Sequence, residues 1–277
     1  MDLNTIREVK RPTSPDEITA WGDGYAWLAG GTWLFSEPQL VVDTLIDLET
    51  LNWRSLEASA AGLDIAATCR IGELEHFAAP PTWTAAPLFR ECCHALLMSF
   101  KIYNEATVGG NICMSLPAGA MISLTVALEA VYTLWPRGGS PRQLPAIDFV
   151  TGNHANVLAP GELLRSIHIP ASALSKRFAM RRASLTRFGR SAALLIGTRD
   201  DKAGDLLLTI TAATPRPVQL RFKRAPSAQV LRGAIDEQIG KDGYFDDVHG
   251  KPAYKRHLTY HFAEQIRAEL AAPGARA

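Results

Sequence analysis

Two breaks in apolar sequence constrain this chain more than any other feature. In WLAGGTWLFSE the apolar run stops at Ala29-Gly30-Gly31-Thr32 and resumes at once as a hydrophobic segment with helical character; about seventy-five residues later TVGGN, Thr107 to Asn111, interrupts a second stretch. Adjacent glycines let a chain take positive φ and turn consecutive backbone N–H groups to one side, forming a nest for phosphate oxygens. Thr32, Thr107 and Asn111 add side-chain donors, and a helix that starts at such a turn adds unpaired amides and partial positive charge. One Gly-Gly pair alone is more often a tight turn than a phosphate site. The two together predict a diphosphate held with few or no basic side chains.

That economy matches the charge. The 29 Lys and Arg residues face 28 Asp and Glu, so no global field draws the chain to nucleic acid or to an anionic membrane. The known nucleotide motifs are absent: Gly22-Asp23-Gly24 does not continue as GxGxxG, and no GK[ST] makes a P-loop, which argues against a Rossmann fold. No apolar run reaches the length of a membrane span, and MDLNTIREVKRPTSPDE has neither a secretory apolar region nor a twin-arginine pair, so a cytoplasmic location is expected. Cys69, Cys92, Cys93 and Cys113 lack paired CxxC spacing, which predicts reduced, mostly buried thiols and no zinc or iron-sulfur cluster in this chain. His257 and His261 share a helix face near Glu264, and surface or packing roles are expected for them.

Along the chain, a short helix is expected at Asp16 to Trp21, a strand ending at Leu28 and a second strand over Leu40 to Leu48. LEASAAGLDIAATCRIG reads as a hairpin turning at Ala61-Gly62, followed by a helix near Ala85 to Leu97 and, after Pro117, by the apolar helix AGAMISLTVALEA. VYTLW, LLRSIHIP, SAALLIGTRD and GDLLLTITAAT read as strands, and PAYKRHLTYHFAEQIRAEL as a terminal helix.

The order strand, AGGT, hydrophobic segment, NEATVGGNICMSLP, apolar helix resembles the FAD-binding subunit of molybdenum hydroxylases, the group that includes xanthine dehydrogenase and carbon monoxide dehydrogenase. The likeness extends to KRPTSPDEI, the VVD…IDL strand, APGELLRSIHIP and a tail of the AYKRHL type. It implies an α+β fold: a two-subdomain FAD-binding domain of the vanillyl-alcohol-oxidase/PCMH type over 1–172 (subdomains about 1–55 and 56–172), then a small α+β C-terminal domain over 173–277. It also implies FAD in this chain, with iron-sulfur clusters and molybdopterin in partner subunits. The function so implied is transfer of electrons from an iron-sulfur partner through FAD to an external acceptor, the alternative being a flavin-free structural subunit of the same assembly.

Carried over by residue, Leu28, Ala29, Gly30, Gly31, Thr32 and Trp33 would wrap the FAD diphosphate, and Thr107, Val108, Gly109, Gly110 and Asn111 would form a second wall. Leu97 and Leu164 match apolar positions against the isoalloxazine, and Arg181 a basic residue near the flavin, with Arg182 a competing alignment. No side chain is singled out as catalytic. One departure stands out: the resemblance implies a Ser-Asp or Ala-Asp pair following the proline, whereas Leu116-Pro117-Ala118-Gly119-Ala120 has no acid and the expected carboxylate is absent at Ala120.

Overall fold

A computed structural model describes residues 4–18, 20–96 and 98–272. Its first sheet is small and parallel: β1 (Glu8–Lys10) and β2 (Tyr25–Leu28) flank β3 (Thr44–Asp47), with Tyr25 and Glu8 both opposite Thr44. All four residues of β3 are buried, as befits a central parallel strand. Parallel strands need a crossover, and the β2–β3 crossover carries the AGGT segment at the carboxyl end of β2, where open parallel sheets present ligand sites. The strand expected from Leu40 begins only at Thr44, because neither neighbour pairs earlier; Leu40 and Val41 are 83% and 79% exposed. The helix expected at Asp16 to Trp21 is only a 3₁₀ turn, Pro15–Glu17.

The second sheet is antiparallel, in the order β4-β5-β10-β6-β7: β4 (Leu56–Ser59), β5 (Gly62–Ala66), β6 (Val131–Trp135), β7 (Arg142–Pro145) and, after a small β8–β9 ribbon (Val150–Gly152, Ala155–Asn156), β10 (Leu163–Pro170). Between β5 and β6 run α1 (Ile71–Glu75), α2 (Pro87–Ala95), α3 (Phe100–Glu105), α4 (Val108–Cys113) and α5 (Ala120–Ala127). A bulge in β10 between Leu164 and Ser166 leaves Arg165 with its guanidinium 4.1 Å from the Trp53 ring centroid and 5.3 Å from that of Trp135. Those two rings pack with Trp27, Leu48, Leu51 and Leu163 and join the first two sheets.

The short α6 (Ala171–Leu174) leads into a third sheet, antiparallel in the order β11-β12-β13-β14: β11 (Arg177–Ala183), β12 (Ala193–Arg199), β13 (Leu206–Thr211) and β14 (Val218–Phe222). The helices α7 (Ala228–Ile239) and α8 (Pro252–Ala271) pack against it, as does α5. Every residue of α5 is buried, which explains a helix apolar all round. Its two hydroxyls are satisfied inside: Thr125 donates to Met121 O at 2.8 Å, and Ser123 Oγ lies 2.6 Å from Thr211 Oγ1.

Glu129, just past α5, ties this sheet to the rest. Its carboxylate accepts from Lys176 Nζ at 2.6 Å and pairs with Arg221 of β14. Burial alone would raise the Glu129 pKa, but the hydrogen bonds from Lys176 and Arg221 outweigh it and hold the group below its usual 4.5. A depressed folded pKa gives stability that is complete above the unfolded value and lost as pH falls through the folded one. Denaturant titrations should therefore show wild-type stability declining below about pH 5. Glu129→Gln should be less stable at pH 7 and flatter with pH in that acid window; identical pH profiles would remove Glu129 from the account.

Candidate functional site

The two glycine stretches meet in one cleft of about 420 Å³. Ala29, Gly30, Gly31, Thr32 and Trp33 line one wall, and Thr107, Gly110 and Asn111 line another. They are fastened to each other at Gly30. A Cβ placed there would lie 1.7 Å from Glu105 O, so only glycine lets the first wall seat on the backbone that leads into α4. Gly31 has φ 67°, and the chain then closes one turn through Phe35 N donating to Gly31 O at 2.8 Å and Ser36 N to Trp33 O at 2.8 Å. No helix follows; the hydrophobic segment is a turn that Pro38 ends soon after.

This turn leaves an unusual number of donors free. Among the described residues, the backbone N–H groups of Gly30, Gly31, Thr32, Trp33 and Leu34 donate to no protein acceptor, and neither does the Thr32 hydroxyl. Five successive unpaired amides at a cleft wall are an anion nest. Such groups are seldom left without a partner unless water or a ligand meets them.

The second stretch works differently from the sequence expectation. Gly109 and Gly110 do not take positive φ; they form the first turn of α4, which Thr107 caps by accepting from Gly110 N at 3.0 Å. Val108 N donates to Cys69 O and Gly109 N to Ala67 O, so these amides are already satisfied by the protein. Gly109 is needed for packing, since a Cβ would sit 2.5 Å from Ala67 Cβ. Gly110 faces the cleft, where a Cβ would meet only Thr107 Oγ1, at 2.8 Å. Asn111 Oδ1 accepts from Met121 N at 3.2 Å and so joins α4 to the start of α5, leaving its amide NH₂ for the cleft.

The remaining expected residues lie elsewhere. Leu28 ends β2, while Val108 and Leu164 are buried behind the wall; the Leu164 backbone touches the thiol of Cys113, which does line the cleft. Arg181 does not reach the cleft: it pairs with Glu269 and donates to Gln265 at 3.1 Å, both on α8, because alternation along β11 turns it to that face. Leu97 lies outside the described residues. Arg182, the alternative, donates to Ser191 Oγ at 2.8 Å, and Ser191 and Arg190 are the residues of that region that line the cleft. The resemblance pointed to Arg181, with Arg182 as the alternative, both on β11, whereas the arginine that lines the cleft stands at the end of the turn that follows.

Ala120, where the resemblance implies an acid, is fully buried at the start of α5 and does not line the cleft. Among the described residues no Asp or Glu lines it, and Arg190 is its one charged residue. Burial pushes the Cys113 thiol up to about 12, which keeps it protonated and unreactive near neutral pH. Cys69 and Cys92 are raised further by burial, and all four thiols are free. His257 and His261 stack on α8 with ring centroids 6.2 Å apart, and Gln265 meets His261; among the described residues no His, Cys, Asp or Glu group forms a metal site.

Free amides, hydroxyls and a cation without a carboxylate suit an anionic ligand, and Trp33, Leu96, Met98, Ile102, Met114 and Leu116 add apolar wall for a flat ring. A family model described as the FAD binding domain in molybdopterin dehydrogenase matches residues 6–172. The chain belongs to that family. Caffeine dehydrogenase subunit beta of Pseudomonas sp. (strain CBB1) is 28% identical over 226 residues, covering 76% of this chain and 74% of that protein. Xanthine dehydrogenase of Oryza sativa subsp. japonica is 29% identical over 122 residues, which are 42% of this chain and only 9% of that much longer protein. The fold matches a carbon monoxide dehydrogenase chain from Hydrogenophaga pseudoflava with a TM-score of 0.80 at 21% identity, covering 96% of this chain and 99% of that one. An FAD-binding domain of the molybdopterin dehydrogenase type is consistent with a cleft lined by free amides and apolar side chains. Among the described residues no helix is long and apolar enough to cross a membrane.

Proposed function

We propose that this chain is the flavoprotein subunit of a molybdenum-containing hydroxylase or dehydrogenase. In this reading it holds FAD non-covalently in the cleft, receives electrons from an iron-sulfur partner and passes them to an external acceptor, while a molybdopterin-binding partner carries the substrate chemistry. The observation that carries the reading is the run of five unpaired amides, Gly30 to Leu34, across the cleft from Thr107, Gly110 and Asn111. The amides would hold the diphosphate, Thr32 and Asn111 would add donors, and the apolar wall would exclude water from the ring. FAD itself supplies the redox chemistry, and no residue of this chain needs to exchange electrons or form a covalent bond. Exposed Leu40, Val41, Phe100 and Phe188 suit a chain that is normally covered by partners.

The purified complex should release yellow flavin into the supernatant on acid precipitation, since the protonated Cys113 offers no tether. A colourless supernatant from a folded, fully assembled complex would overturn the proposal in favour of a flavin-free structural subunit.

A further inference from the structure

Arg190 is the cleft's sole charged lining residue among those described, and its guanidinium enters no hydrogen bond or ion pair there. It is exposed, yet its backbone is gripped on both sides. Arg182 donates through Nε to Ser191 Oγ at 2.8 Å and through Nη2 to Gly189 O at 2.5 Å, while Gly189 N closes the turn onto Thr186 O at 3.0 Å. Ser191 is 2% exposed, so the residue after Arg190 is fixed in the interior. The turn that carries this unpaired cation is thereby held in place.

The five free amides already offer donors to a diphosphate. The amide wall is seated at Glu105, whereas Arg190 reaches the cleft from a different element, the turn between β11 and β12. The oxidised flavin ring is neutral. Adding two electrons, from the iron-sulfur partner, and one proton, from solvent, creates one net negative charge on it. With no carboxylate lining the cleft among the described residues, Arg190 is the group that meets such a charge.

We propose that Arg190 is the counter-charge of the reduced flavin: it binds the reduced cofactor more tightly than the oxidised one and so raises the midpoint potential. This rests on FAD occupying the cleft. An opposite charge a few ångströms away favours the ionised form by roughly tenfold to a thousandfold. Arg190→Gln in the assembled complex should therefore leave the dissociation constant for oxidised FAD within about threefold and weaken that for reduced FAD by about tenfold or more. For a two-electron couple each tenfold is about 30 mV, so the midpoint potential, read by dye-equilibrated spectroscopic titration, should fall by about that much or more. Arg190→Lys should recover most of the loss.

An unchanged potential in Arg190→Gln, in a complex whose wild type holds flavin, overturns this inference alone. Equal weakening of both redox states also overturns it, because that pattern marks a ligand of the diphosphate. A wild-type complex with no flavin overturns both this inference and the proposed function.

Discussion

Gly30→Ala is expected to leave the assembled complex with little or no flavin. The new Cβ would lie 1.7 Å from Glu105 O and 2.7 Å from Glu105 C. Both are backbone atoms leading into α4, so the clash cannot be relieved by a side chain moving aside. The 29–34 turn must lift away, and its five free amides are displaced from the cleft wall. Overpacking of this kind costs about 1–3 kcal/mol in the protein itself, but the larger effect is on the ligand: losing two or more charge-assisted hydrogen bonds weakens binding by on the order of a hundredfold or more.

Two neighbouring glycines give the contrast that makes the result specific. Gly110→Ala meets only the capping hydroxyl of Thr107, at 2.8 Å, so it should weaken flavin binding by roughly tenfold through a displaced cap, with the fold retained. Gly109→Ala collides with Ala67 Cβ and O behind the cleft and should lower the melting temperature before it touches affinity. Flavin-to-protein ratios and titrated dissociation constants separate the three variants. Wild-type flavin content in Gly30→Ala would show that the diphosphate is not held at this turn.

The contrast also shows where sequence was informative. AGGT could be read from sequence because its glycines do what the pattern suggests: a positive φ at Gly31, a close approach at Gly30 and free amides after them. TVGGN pointed to the right place for another reason. A helix beginning Val-Gly-Gly has poor intrinsic propensity, and α4 forms because Thr107 caps it and the carbonyls of Ala67 and Cys69 take its first amides. Those carbonyls come from the segment just past β5, some forty residues earlier, and no local pattern announces them. The same limit hid Arg190. Alternation along β11 turns Arg181 toward α8, and only the length of the β11–β12 turn, invisible in a single sequence, delivers Arg190 and Ser191 to the cleft. The buried α5, by contrast, was plain from its composition, since an eight-residue helix apolar on every side has to lie inside. Leu40 and Val41 looked like strand by the same criterion and are exposed, because pairing with β1 and β2 starts at Thr44.

Asp247→Asn should be the most destabilising isosteric change distant from the cleft. Lys255, on α8, has a fully buried side chain, with its Nζ 2.9 Å from Asp247 Oδ1 and 3.1 Å from Ala212 O and the Phe245 ring 5.2 Å away. Asp247 also accepts from His249 N at 2.8 Å, which fixes the carboxylate in the loop before α8. Removing the carboxylate charge leaves an ammonium in the interior against neutral acceptors and a ring face only, and a buried pair broken on one side costs about 3–5 kcal/mol. For a chain of this size the melting temperature should fall by on the order of 10 °C. The effect should also reach the cofactor. Ala212 sits at φ 64° with its carbonyl on Lys255 and its N–H on Pro117 O, so a loosened Lys255 frees the backbone that positions Leu116 and Ala118 at the cleft. Lys255→Met combined with Asp247→Leu removes both charges and should recover much of the stability, because a buried pair is worth little against a well-packed apolar one. It should recover less of the flavin retention, since Ala212 O still lacks its donor. Thermal melts and flavin off-rates on the single and double variants decide this: a single variant that melts with the wild type would mean the pair is not buried as described, and a double variant no more stable than the single one would mean that packing, not the uncompensated charge, sets the cost.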